Sequence, residues 1–268
     1  MSLVIQNPNA SFNAAIGLQP RVSSGMIAAG LMGSSIGRNL YGSATVSVKG
    51  NPTKVAGYDF VSTLDQSNYI DTNIDDSIDM TIMLIAKVAI PTTGPAHQQL
   101  IGTYQNYKGS FSSYVGTAII LEPGSFALGA IGRINQAGDT IGNKNITGVI
   151  GLPSGTQNAL WKIMALRVAK NEPGNTGGFG GVLQNLTDNV QATTTTFGTD
   201  TRLTGLGNTL KVGATNNMAS EGGTPGSIAT QPFDCMGFAV YNRCLTNIEL
   251  QTMYSQFKGI AAGQGITV

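Results

Sequence analysis

The chain reads as an all-β protein, a sandwich of antiparallel strands closed by one short C-terminal helix, and three observations carry that reading. Charged residues are 11% of the chain and 36 of its 268 residues are glycine, against roughly 25% charged in ordinary globular proteins. Such a composition builds few helices. Short alternating apolar segments separated by turn residues recur along the chain. At residues 233–259, FDCMGFAVYNRCLTNIELQTMYSQFKG, a strand pattern runs directly into a helical one.

In chain order, residues 1–43 lack a clear period and read as an N-terminal arm or assembly segment, with the patterned domain following over residues 44–268. Within that arm the apolar run MIAAGLM at 26–32 suits burial against a partner and would equally complete the chain's own core. Next, Ile82, Leu84, Ala86, Val88 and Ile90 share one face of a strand, with Thr81 and Lys87 opposite among apolar neighbours, the pattern of a central strand. Residues 114–121 and 126–133 form a hairpin across Glu122-Pro-Gly-Ser125, where Pro123 presets φ and Gly124 supplies the left-handed position of a type II turn. Residues 159–170 alternate as a strand but also offer a helical face through Trp161, Met164, Ala165 and Val168. Leu210, Val212 and Ala214 mark another strand.

At the C-terminal end, Met236, Phe238 and Val240 alternate with small residues. Asn242-Arg243 then breaks the alternation. Thr246 and Glu249 have the spacing of a capping box, and Leu245 and Leu250 that of a hydrophobic staple. Leu250, Met253, Tyr254 and Phe257 lie on one helical face that must dock, with Gly259 placed to end the helix.

Composition also excludes function classes. A formal net charge of +1 provides no field for nucleic acid or anionic lipid. The two cysteines, Cys235 and Cys244, read as small buried thiols, with a local disulfide the alternative, and they make no disulfide scaffold. The N-terminus lacks early basic residues and is interrupted by Asn7, Asn9 and Asn13, unlike a secretory signal. The longest apolar run, residues 82–86, is far too short to span a bilayer.

These residues carry a resemblance. Tyr241-Asn-Arg-Cys-Leu-Thr246 followed by Glu249-Leu250 resembles the closing segment of concanavalin A-like, laminin G-like jelly-roll domains, in which a final strand leads into a short terminal helix. Residues 38–40, 50–53, 69–72, 100–102 and Trp161 fall in the same order as earlier passages of such domains. The resemblance implies a two-sheet antiparallel jelly-roll sandwich and tips residues 159–170 toward strand. Low charge with abundant Gly, Thr, Ser and Asn is also similar in style to bacteriophage tail, collar and appendage proteins.

Catalytic groups are sparse. The one histidine, His97, sits in a loop pattern, so no histidine-rich metal site can form. The four glutamates, at 122, 172, 221 and 249, are far apart in sequence and lack the paired spacing that a glucanase of this fold requires. The acidic stretch at 71–79, DTNIDDSID, opens as D-x-N-x-D and makes Asp71, Asn73 and Asp75 candidate calcium ligands. It lacks the sixth-position Gly and twelfth-position Glu of an EF-hand loop. Tyr104, Tyr107 and Tyr114, near Gln105, Asn106 and Lys108, are candidate carbohydrate-binding aromatics. NEPGNTGGFGG at 171–181 has no G-K-[ST] and is not a phosphate loop.

Two functional expectations follow. The first is a non-enzymatic bacteriophage virion component, located in the particle, whose partners are other virion proteins, copies of itself and host-surface glycan. The alternative is a carbohydrate-binding or carbohydrate-active protein, with calcium the one cofactor considered.

Overall fold

The computed structural model describes residues 20–33, 44–92, 98–106, 114–124, 126–138, 141–148, 150–170, 179–193, 198–205, 207–216 and 231–268. The chain begins with strands β1 (Met26–Leu31), β2 (Ser47–Lys49), β3 (Thr53–Lys54), β4 (Ser62–Leu64), β5 (Tyr69–Asp71), β6 (Met80–Val88), β7 (Gln98–Gly102), β8 (Gln105–Asn106) and β9 (Tyr114–Val115). It continues with β10 (Ala118–Glu122), β11 (Phe126–Ile134), β12 (Ile141–Gly148), β13 (Leu160–Lys170), β14 (Phe179–Asn185), β15 (Val190–Thr193), β16 (Thr201–Arg202), β17 (Lys211–Val212) and β18 (Phe233–Tyr241). Among the described residues one α-helix, α1 (Asn247–Gly263), follows.

The strands make a two-sheet antiparallel jelly-roll sandwich. The first sheet runs β15-β14-β13-β6-β18-β4-β3, with β1 also on β18; the second runs β12-β11-β10-β7-β17-β5-β2, with β16 on β11. The central strand β6 shows why the sheets stack. Its Met80, Ile82, Leu84, Ala86 and Val88 enter the core between the sheets, together with Ile119, Leu121 and Ile131 from the opposite sheet. Its other face carries Met83 and Ile85, which are equally buried but belong to a separate cluster under the helix. A strand buried on both faces reads as a continuous apolar run.

The helix supplies the cover for that second face. Leu250, Met253, Phe257 and Ala261 are buried against Met83, Ile85, Ile163, Ala165 and Ala239. The Thr246 hydroxyl accepts from the Glu249 amide at 3.3 Å, and the Glu249 carboxylate accepts from the Thr246 amide at 2.9 Å, completing the capping box. Arg243 forks onto the same carboxylate at 2.7 and 2.9 Å and donates to the Ser24 carbonyl at 2.8 Å, tying the helix start to the N-terminal segment. The pair holds the Glu249 carboxyl down at about 2, the Arg243 hydrogen bonds first among the causes.

Gly259 does not end the helix. The buried face extends one turn further through Ala261, and closure falls to Gly265, in the left-handed region at φ 71. There the Ile266 amide donates to the Ala261 carbonyl at 2.9 Å and the Gly265 amide to Ala262 at 3.0 Å, a Schellman arrangement that also buries Ile266.

The run at 26–32 completes the chain's own core. As β1 it pairs with β18 from Met26↔Tyr241 to Leu31↔Gly237, and Ala28, Ala29 and Met32 are buried. The helix-or-strand segment is the long strand β13, paired to β6 on one side and β14 on the other. The turn after Glu122 has Gly124 at φ 73 and sets the β10–β11 register at Glu122↔Phe126. The hairpin is shorter than the pattern suggests, because Tyr114 and Val115 leave it to pair with β8. Cys235 is buried and Cys244 half-buried, and the two are not joined in a disulfide. No helix among the described residues is long and apolar enough to cross a membrane.

Candidate functional site

The outer face of the first sheet is not uniform. Where α1 lies it is apolar; toward the C-terminal end of β6 it turns polar. Cross-strand partners directly opposite one another project from the same face. The registers Thr63↔Asp234, Asp234↔Lys87 and Lys87↔Trp161 therefore set one row of side chains across β4, β18, β6 and β13. The row ends on the protein's single tryptophan, half-buried and packed edge-on against Tyr58 with ring centroids 6.3 Å apart. Lys87 is exposed, and among the described residues it has no ion-pair partner.

Beside this row opens a cleft of about 280 Å³, lined by Thr63, Lys87, Asp234, Gln98, Gln157 and Phe233 among others. Three local devices shape it. The Thr63 hydroxyl donates to the Asp234 carboxylate at 2.7 Å, fixing that carboxylate on the β4 side. Gln98, at the start of β7, donates through Nε2 to the Pro232 carbonyl at 3.1 Å, which leaves its Oε1 without a protein partner. Ile90 anchors the far wall: its amide donates to Pro153 at 2.8 Å and its carbonyl accepts from Gly155 at 2.8 Å, which brings the 3-10 turn Thr156–Asn158 alongside. The cleft thus combines one cation, one carboxylate, hydroxyls and amides, and the row that supplies Lys87 to it continues to Trp161 on the next strand, a set suited to a polyhydroxyl ligand with an apolar face.

A second polar cluster lies deep in the molecule. Asp76 faces Arg202 at 3.3 Å, with side chains 3% and 1% exposed. The Thr103 hydroxyl donates to Asp76 at 2.8 Å, and Arg202 donates to the Gly132 carbonyl at 3.2 Å and to Thr117. Burial pushes the Asp76 carboxyl above its ordinary value, with the Arg202 charge pulling the other way. The cluster is closed to solvent and ties the loop after β5 to β7, β10 and β16.

The residues singled out from sequence are placed as follows. Asp71 accepts from the Asn73 amide at 3.0 Å, and Asp75 accepts from the Asp76 amide at 2.7 Å, so each carboxylate is engaged by its own loop backbone. Asn73 adopts φ 54 and donates through its side chain to the Thr45 carbonyl. Among the described residues, no group of three His, Cys, Asp or Glu side chains gathers as a metal would need. Tyr104 is half-buried against Ala118, Ile120, Leu128 and Ala130 on the outer face of the second sheet. Tyr114 lies in β9, paired with Asn106. Tyr107 and His97 lie outside the described residues. The sequence reading missed the Thr63–Asp234–Lys87–Trp161 row because it depends on register between strands remote in sequence. The one local hint was a charged residue, Lys87, in an otherwise apolar strand.

No family model and no curated protein matches the chain. Solved structures do. The botulinum neurotoxin serotype D binding domain superposes with a TM-score of 0.54 at 12% identity, over 88% of this chain and 52% of that one. The binding domain of botulinum neurotoxin DC, solved in complex with SialylT, gives 0.53 at 11% identity, over 87% of this chain and 52% of that one. A Trypanosoma rangeli sialidase, solved as a covalent intermediate with 2,3-difluorosialic acid, gives 0.51 at 11% identity, over 88% of this chain and 33% of that one. The chain therefore spans about half the length of the toxin binding domains it resembles. At these identities the likeness is one of fold.

Proposed function

We propose that this protein is a non-enzymatic glycan-binding module, and that its sugar site is the cleft and side-chain row at the end of the first sheet. The observation that carries the reading is a polar cleft lined by Lys87, Asp234, Thr63 and Gln98, with the sole tryptophan in register with Lys87 in the same cross-strand row. An aromatic flank takes the C–H face of a sugar ring, while amides, hydroxyls and a carboxylate satisfy its hydroxyls. Binding rather than hydrolysis is favoured because Asp234 is the one carboxylate in the cleft lining among the described residues, whereas most glycosidases flank the scissile bond with two.

Further support comes from the company the fold keeps: toxin binding domains, one solved in complex with SialylT, and a sialidase holding a sialic acid analogue. This favours the carbohydrate alternative over the bacteriophage virion component. The pairing of β1 with β18 within the chain's own sheet also weakens the case for residues 26–32 as an arm that packs on a neighbour.

A printed glycan array probed with the wild type and with Trp161→Ala tests the proposal. Binding to at least one glycan class is expected, with loss in Trp161→Ala while its circular dichroism stays native. An array that remains blank, or a variant that binds as the wild type does, refutes it.

A further inference from the structure

Resting on the glycan reading above, we infer that the ligand is an acidic sugar, its carboxylate seated on Lys87. The argument starts from an ion pair that the sheet sets up but does not make. Lys87 and Asp234 are directly opposed on β6 and β18, a placement in which opposite charges ordinarily pair. Instead, Asp234 is held on its other side by the Thr63 hydroxyl at 2.7 Å, and Lys87 has no ion partner among the described residues. Where a cation and a carboxylate are brought together elsewhere, they do pair: Lys162 reaches Asp188 at 2.6 Å and Arg243 reaches Glu249 at 2.7 Å.

The consequence is a divided site. Lys87 presents three N–H donors and a full charge at the cleft wall, and Asp234 presents a carboxylate oxygen for hydroxyl donors one strand away. A neutral sugar satisfies the second group and gives the first only hydroxyl oxygens. A sugar bearing a carboxylate satisfies both, because it adds the attraction between two opposite full charges to the hydrogen bond, which an ammonium–hydroxyl contact lacks. Trp161, next along the row beyond Lys87, takes the ring's apolar side. The ammonium is a compact point charge, so a single carboxylate is matched rather than a planar, two-pronged anion.

The test is an array of matched pairs, each uronic or nonulosonic acid beside its own methyl ester, probed with the wild type and with Lys87→Met. Lys87 is exposed and the substitution leaves the strand's apolar contacts intact; a thermal melt verifies the fold. The wild type should prefer the acids by about tenfold at low ionic strength, with the preference shrinking as salt is raised. Lys87→Met should bind acids and esters alike. Equal binding of acid and ester by the wild type, or a preference that survives in Lys87→Met, overturns this inference and leaves the glycan reading standing. Binding to neither member of any pair nor to any neutral glycan overturns both.

Discussion

Replacing Phe257 by alanine tests whether α1 is part of the fold or an ornament on it. Phe257 is fully buried and sits between Met253 and Ala261 on the face that meets Met83, Ile85, Ile163 and Ala165. The floor beneath it cannot sink to fill the space. β6 is hydrogen-bonded to β13 on one side and to β18 on the other, so its backbone is held in place. A Phe→Ala change at such a site costs about 3–5 kcal/mol, the lost transfer energy plus the cavity left behind. For a chain of this size, that corresponds to a fall in Tm of roughly 6–20 °C. Ile248→Ala is the internal control: that side chain is 81% exposed in the first turn of the same helix, and its loss should stay within about 0.5 kcal/mol. Urea unfolding of both variants, followed by circular dichroism, gives the two values directly. If Phe257→Ala costs less than about 1 kcal/mol, the helix is not holding the outer face of the sheet and the packing argument fails.

Three further outcomes follow from particular contacts. Because the folded Glu249 carboxyl is depressed to about 2, its contribution to stability is complete above about pH 4.5 and is lost as pH falls toward 2; Glu249→Gln should cost about 1 kcal/mol at pH 7, after allowing for solvent screening, and should flatten the wild type's acid-side decline in urea melts across that window. Asp76→Asn leaves the Arg202 charge buried without its counter-ion and should cost about 3 kcal/mol by the same assay, whereas Asp76→Leu combined with Arg202→Met should recover part of that loss. Deleting residues 1–33 removes β1 and bares the β18 edge from Gly237 to Tyr241, so light scattering after size exclusion should show aggregation and a lowered Tm; a monodisperse truncation with an unchanged Tm would mean that β1 adds nothing to the sandwich.

What was legible in the sequence were the features fixed by neighbours in the chain. The capping box at Thr246 and Glu249, the staple of Leu245 and Leu250, the Pro123-Gly124 turn and the face of β6 each depend on residues within about one turn or one strand, and each stands in the structure as read. The end of α1 was misplaced because Gly259 looked like a stop. Docking of Ala261 repaid one more turn, and a second glycine, Gly265, was available to close it. Long-range pairings were not legible at all. Arg202 finds Asp76 from 126 positions away, and Asp234 meets Lys87 only because β18 lies next to β6. That is also why aromatic loops drew attention as a sugar site, while Trp161 was valued only as the start of a strand. The partners that turn Trp161 into a candidate site come from β6, β18 and β4.

The central claim is that ligand meets the protein at Trp161, and the protein offers an unusually direct probe of it. With one tryptophan in the chain, emission excited at the red edge, where the eight tyrosines do not absorb, reports on that residue alone. Titrating the wild type with the best glycan from the array should shift or quench this emission along a saturable curve, with the same midpoint as binding measured by calorimetry. Calorimetric binding with unchanged tryptophan emission would place the ligand elsewhere and contradict the account.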